Sequence, residues 1–209
     1  MEEVLPVYPR PYSAAYPLVC FDEAGKQHLK ERCQPLPLDA GQPPRYDYTY
    51  EREGVSNLFM LFAPLENWRH VTVTDQHTMI DFAQCMKALS DTHFPHAEQI
   101  TVVLDNLSTH KPAALYQAFA PQLARHLLDR LAFVYTPVHG SWLNMAEIEL
   151  SVLQRQCLDR RIPDQTSLQK EVAAWQEQRN NAACTIDWRF TTDEARITLK
   201  WLHPSINKN

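Results

Sequence analysis

Three acidic residues are each set at the end or start of an apolar element. Asp22 closes the run Leu18-Val19-Cys20-Phe21, Asp105 closes Ile100-Thr101-Val102-Val103-Leu104, and Glu147 stands early in the segment that begins at Trp142. If the two strands are parallel neighbours, Asp22 and Asp105 emerge side by side at one sheet edge. Adjacent carboxylates repel, and a cation relieves that cost. A hard divalent ion such as Mg2+ takes a few carboxylate oxygens plus water and substrate phosphate, which is the donor set such a pocket offers. On spacing alone, each aspartate also reads as an ordinary turn or cap residue. Asn144-Met145-Ala146-Glu147 equally fits a capping box with Asn144 as N-cap. Glu149 is a rival acid, about 200° around a helix from Glu147, so the two cannot face one site. Leu143 and Leu150 share the face of Glu147 and favour it as the inward acid, although periodicity does not settle the choice.

Other chemistries find less support. Nine histidines occur without an H-x-x-x-H pair near the acids, which leaves a zinc hydrolase as the weaker alternative. His110 and His139 flank the same predicted sheet edge, and His139, in the loop before Gly140-Ser141, is a candidate substrate contact. Only four glycines are present, and neither G-x-x-x-x-G-K-[ST] nor G-x-G-x-x-G occurs, so a nucleotide-cradling loop is unsupported. Cys157, spaced with Leu153 and Leu158, reads as a packed thiol. Arg155, Arg160 and Arg161, opposed only by Asp159, form the densest basic cluster. It reads as a solvated helix end, or, beside a metal site, as a holder of DNA phosphates.

The elements that must position these residues alternate between strand and helix. The first 17 residues, with prolines at 6, 9, 11 and 17, suit an extended arm. A strand follows from Leu18, closed by a turn at Asp22-Glu23-Ala24-Gly25, and then a proline-rich loop over 34–44. Tyr46 to Val73 reads as a three-stranded antiparallel meander with a turn at Glu53-Gly54. Thr78 opens a helix that ends by His93-Phe94-Pro95. The strand 100–104 leads to helices after Pro112 and from Pro121. The strand 131–135 leads to a helix from Trp142 to about Leu158, and Ser167 to Asn180 reads as another. Ile186 to Phe190 is expected to form a short strand, and Thr191-Thr192-Asp193-Glu194 a capping box that opens a last helix. This order predicts an α/β class with a mixed central β-sheet flanked by helices.

The chain has 209 residues, of which 44% are hydrophobic and 22% charged. That is ordinary globular usage and excludes wholesale disorder and fibrous classes. Five scattered cysteines without a C-x-x-C pair exclude a disulfide scaffold or zinc ribbon. No apolar run reaches the length of a membrane span and no signal peptide is recognisable, so a cytoplasmic protein is expected. The net charge of −5 divides into −6 up to Leu104 and +1 after it. A DNA-facing surface is therefore expected in the second half.

Together, Phe21-Asp22-Glu23, Leu104-Asp105-Asn106 with His110, Tyr135-Thr136-Pro137 and Ser141-Trp142-Leu143-Asn144-Met145-Ala146-Glu147 resemble the catalytic region of a DDE transposase, in the bacterial insertion-sequence branch of the mariner superfamily (the IS-six-thirty family). The likeness runs from about Pro11 to Pro204. It implies a ribonuclease-H-like catalytic domain over 18–204, between an arm (1–17) and a tail (205–209). It further implies two Mg2+ or Mn2+ ions held by Asp22, Asp105 and Glu147, with Asn106, His110, Trp142 and Asn144 as substrate contacts around them. The implied reaction cleaves transposon ends and joins their 3′-hydroxyls to target DNA, in a complex built on a homodimer. Such enzymes carry a helix-turn-helix that reads the terminal repeats, and 17 residues before the first strand cannot hold one. Recognition is thus expected from a separate helix-turn-helix subunit or domain. A non-catalytic transposase remnant, acting as a dimerisation partner or inhibitor, is the alternative, and a structure-selective nuclease of similar fold is a third reading.

Overall fold

The computed structural model describes residues 3–32, 49–138 and 140–198. The proline-rich loop, Tyr46, Tyr48, His139 and the tail 205–209 lie outside the described residues. Five strands, β1 (Leu18–Glu31), β2 (Tyr50–Ala63), β3 (Trp68–Thr74), β4 (Ile100–Leu104) and β5 (Leu131–Tyr135), form one sheet in the order β3-β2-β1-β4-β5. β1 and β2, and β2 and β3, are antiparallel, whereas β1 and β4, and β4 and β5, are parallel. The expected mixed sheet is therefore present.

The sheet is covered on both faces, and its strands show why. All five residues of β4 are buried, as a strand with cover on both faces requires. In β1 and β2, alternate residues serve opposite cores. Val19, Phe21, Phe59 and Leu61 pack with α1 (Met79–Ala88), α2 (Ala113–Ala118) and α3 (Pro121–Arg130). Leu18, Cys20, Met60 and Phe62 pack with α4 (Met145–Leu153) and α5 (Gln165–Asn181). The period of two thus assigns each strand side chain to one helical layer. Thr78 and Asp81 form the reciprocal capping box that starts α1, and Thr191 and Glu194 do the same ahead of α6 (Thr192–Thr198).

Four expectations need correction. β1 does not stop at Phe21. It continues to Glu31 because β2 keeps pairing with it, down to Glu31↔Tyr50. Glu53-Gly54 is not a turn but lies inside β2, with Gly54 at φ 112°, a conformation that glycine alone adopts without strain. Ile186 to Phe190 forms no strand, and the reason lies at β3. The outward N–H groups of Arg69 and Val71 already donate to Asn180 Oδ1 (2.9 Å) and Gln176 Oε1 (2.7 Å), and Asn180 Nδ2 donates to the Arg69 carbonyl (2.9 Å). α5 side chains occupy that edge, so Ile186, Trp188 and Phe190 pack against the core without pairing. Finally, the N-terminal segment is seated rather than extended: a 3-10 turn at Leu5–Val7 buries Val4, Leu5, Val7 and Tyr8, and Tyr8 Oη donates to the Leu143 carbonyl (2.5 Å).

Candidate active site

The parallel register answers the condition set by the sequence. β1 and β4 align Cys20 with Val103, and Asp22 and Asp105 each lie two residues further on. Both therefore leave the paired ladder at the same level. Asp22 follows Cys20 on the face covered by α4, since Cys20 packs with Met145 and Ala146 there.

Glu147 is brought to this edge by the segment after β5. Thr136 N–H bonds the Leu104 carbonyl (2.8 Å), extending the ladder. The chain then turns back through Gly140, where a Cβ would stand 2.5 Å from Pro137 Cγ; the turn admits no side chain without moving the proline. A 3-10 turn at Ser141–Leu143 leads to Asn144, the N-cap of α4. The cap is the expected residue, but its side chain accepts from Ala146 N–H (3.2 Å), not from Glu147 N–H, which bonds the Asn144 carbonyl instead (3.1 Å). Glu147 is thus not tied into a capping box. Glu147 lines, with Asp22, Leu58, Leu150 and Arg155, a cleft of about 430 Å3.

The rival acid has a different position and task. Glu149 is fully buried, 2.9 Å from Arg69 Nε and 2.8 Å from Arg179 Nε. Arg69 is equally buried, lies over the Phe62 ring at 5.4 Å and donates to the Cys184 carbonyl. Two guanidinium groups therefore fix Glu149 on the opposite side of α4, and Glu147 is the acid that faces the sheet edge.

Asp22 carries the electrostatic record of this crowding. Burial is the largest influence raising its pKa, and the charges of Asp105 and Glu147 add to it. The Glu23 N–H, donating to Asp22 Oδ1 at 2.8 Å, and the nearby His110 pull the other way, and the balance is a pKa of about 7. A carboxyl held above its ordinary value keeps its proton longer in the folded chain than in the unfolded one. Folding stability therefore falls as pH rises between about 4 and 7, and the deficit is complete above 7. In chelator-treated protein, Asp22→Asn is expected to raise stability at pH 8 by on the order of 2–4 kcal/mol and to change it little below pH 4. Urea denaturation at both pH values checks this; an equal shift at the two would assign the gain to packing.

His110 was expected as a substrate contact, yet it is fully buried. Its Nδ1 lies 2.5 Å from Asp105 Oδ1 and its Nε2 3.4 Å from Glu23 Oε2. Burial lowers its pKa, but the contacts with Asp105 and Glu23 outweigh that and raise it to about 9. The imidazolium is wedged against Phe21 and Phe82, with both ring centroids at 5.0 Å. It contacts both Asp105 and Glu23 and is closed to solvent. Asn144, also expected to touch substrate, is likewise fully buried, with its amide spent on protein partners.

The remaining candidates separate. Asn106 is exposed and accepts from Lys111. Trp142 is 44% exposed, 5.7 Å from the Phe190 ring. Arg155 lines the cleft, whereas Arg160 pairs with Glu171, and Arg161 with Glu31 (2.5 Å) and the Tyr50 ring. Of the three arginines, Arg155 is the one that lines this cleft. Sequence reasoning missed Glu23 as a partner of His110 and Arg69 as a partner of Glu149. A signal existed for the latter, because an acid inside the apolar run Met145–Leu153 demands a buried cation.

Among the described residues, no three His, Cys, Asp or Glu side chains converge closely enough to hold an ion as they stand. The donors nevertheless suit a hard divalent cation: all are carboxylates, and the mutual repulsion at Asp22 is what such a charge relieves.

Asp22 within β1 and Asp105 just past β4 thus stand on neighbouring parallel strands, with Glu147 on the helix that covers them. Residues 17–169 match the family model of the DDE superfamily endonuclease, and the chain belongs to that family. The fold is ribonuclease-H-like. It is similar to the Mos1 strand transfer complex (TM-score 0.58, 15% identity, covering 84% of this chain and 51% of that one) and to the Mos1 mariner paired end complex with Mn (TM-score 0.57, 14% identity, 87% and 55%). The paired end complex with Mg is similar at TM-score 0.54, 14% identity, 87% and 56%. The chain spans about half the length of these solved structures. No curated protein matches it. Among the described residues, no helix is long and apolar enough to cross a membrane.

Proposed function

We propose that this chain is the catalytic domain of a DNA transposase from the bacterial insertion-sequence branch of the mariner superfamily, cleaving transposon-end phosphodiester bonds and passing the 3′-hydroxyl end to target DNA. The observation that carries this reading is the meeting of Asp22 and Glu147 on one cleft, with Asp105 acting on Asp22 from the adjacent strand end, in a chain of the DDE endonuclease family. Two Mg2+ or Mn2+ ions bound there would supply activation of the attacking oxygen and stabilisation of the leaving one in an in-line displacement. Asp22, Asp105 and Glu147 are the residues that would hold them. His110 keeps Asp105 oriented, Arg155 takes a phosphate beside the cleft, and Trp142 offers an exposed ring for stacking. The active complex is read as a homodimer on paired DNA ends, with a separate helix-turn-helix domain or subunit recognising the terminal repeats.

The test is cleavage of supercoiled plasmid by the purified chain with Mn2+, Mg2+ or chelator. Metal-dependent nicking supports the reading. A folded chain that binds Mn2+ yet leaves DNA intact favours the non-catalytic partner instead. DNA affinity measured against salt gives a second check: Arg155→Ala should reduce the slope by about one counterion. Arg160→Ala, whose guanidinium is engaged by Glu171, should leave it unchanged. Equal slopes in all three proteins would remove Arg155 from the DNA contact.

A further inference from the structure

Asn144 links two of the three acidic elements directly. Its Nδ2 donates to the Phe21 carbonyl at 2.7 Å, while its Oδ1 caps α4 through Ala146 N–H at 3.2 Å. Phe21 immediately precedes Asp22 in β1, and Glu147 lies three residues after Asn144 in the first turn of α4. One fully buried amide therefore bonds the backbone beside one acid and the helix turn that carries another.

The surroundings leave the amide no alternative. The turn before it is set by Leu143 N–H on the Gly140 carbonyl (3.0 Å) and Asn144 N–H on the Ser141 carbonyl (2.7 Å), and Tyr8 Oη secures Leu143 from outside. Further along the helix, Glu149 is pinned by Arg69 and Arg179. α4 is thus held at two points, and of the two Asn144 is the one that bonds β1, the strand carrying Asp22.

We infer that Asn144 is a positioning residue, whose bond to the Phe21 carbonyl sets the distance and rotation of Glu147 relative to Asp22 so that both carboxylates bind one divalent cation. This inference rests on the metal-site reading above. A cap alone requires only the side-chain oxygen, which serine supplies as well; the bond to β1 requires the amide N–H. The two roles therefore come apart in one substitution.

Asn144→Ser retains the cap and loses the tie. Because Glu149 still anchors α4, the helix should persist, and only its first turn should gain freedom. Calorimetric titration with Mn2+ alone should show affinity weakened about 10- to 100-fold, the scale of losing a group that orients a metal ligand, with a near wild-type melting temperature. Asn144→Asp, isosteric and also without the N–H donor, should weaken Mn2+ binding as well, and it substitutes for the serine variant should that one not fold. Wild-type Mn2+ affinity in a folded Asn144→Ser or Asn144→Asp protein overturns the inference and leaves Asn144 as a cap only. Glu147→Gln separates this from failure of the underlying reading. If wild type binds no Mn2+, or Glu147→Gln binds like wild type, the metal site itself is wrong and the inference falls with it. If Glu147→Gln is impaired and Asn144→Ser is not, the inference alone is overturned.

Discussion

Glu147→Gln is expected to cut metal-dependent DNA cleavage by roughly 10³-fold or more, the scale seen when a single group acting on the reacting centre is lost, while leaving the fold in place. Glu147 lines the cleft shared with Asp22 and is only half-buried on the first turn of α4. Glutamine keeps the shape and removes the charge, so packing is preserved and the capacity to balance a divalent ion is not. Activity assays beside a urea denaturation curve separate the two effects. Near wild-type cleavage by the variant would exclude Glu147 from the reaction; an equal loss of stability and activity would make it structural.

Two residues further along the same helix, the opposite result is expected. Glu149→Ala should destabilise the chain by about 3–5 kcal/mol, because it leaves buried guanidinium charge without compensation. Arg69 is fully buried, and among the described residues its polar atoms reach, beyond the carboxylate, Asn180 and the Cys184 carbonyl. Arg179, less deeply buried, lies over Trp175 at 5.4 Å and retains access to water. The denaturation midpoint is the measurement. The double variant Glu149→Leu with Arg69→Met should recover much of the loss, since exchanging a buried ion pair for apolar groups is often neutral or better. No recovery would place the damage in cavities rather than in unpaired charge.

The contrast between these neighbouring acids shows where sequence reading stops. Helical geometry separates Glu147 from Glu149 by about 200°, which states that only one faces the site but not which. The answer lies in Arg69 on β3 and Arg179 on α5, partners brought in by the tertiary fold. Elements whose signal is local were legible: β4 as an unbroken apolar run, α1 from Thr78 and α3 from Pro121; α4 was legible as a helix, but it starts at Met145 after a 3-10 turn and not at Trp142. The errors arose where local chemistry imitates a boundary. Asp22-Glu23-Ala24-Gly25 and Glu53-Gly54 have turn composition, yet β1 and β2 run through them because each strand is held by the other. Asp22 and Asp105 could be paired only on the condition of parallel adjacency, which the register of Cys20 with Val103 meets. His110 offered no sequence cue to its burial between Asp105 and Glu23, since that depends on Phe21 of β1 and Phe82 of α1 packing against its ring.

The side chains of α5 on the rim of β3 also bear on where the folding unit ends. The family match stops at 169, inside a helix that runs from Gln165 to Asn181, yet Gln176, Arg179 and Asn180 all lie beyond that point. A chain cut at the boundary of the match would keep every acid of the site and lose the groups that occupy the outward N–H donors of Arg69 and Val71. It would present a strand with an open hydrogen-bonding edge and leave the buried Arg69 without its Asn180 and Cys184 acceptors, and an open edge invites strand-to-strand association between copies. The boundary of the family match and the boundary of the folding unit therefore differ by most of one helix.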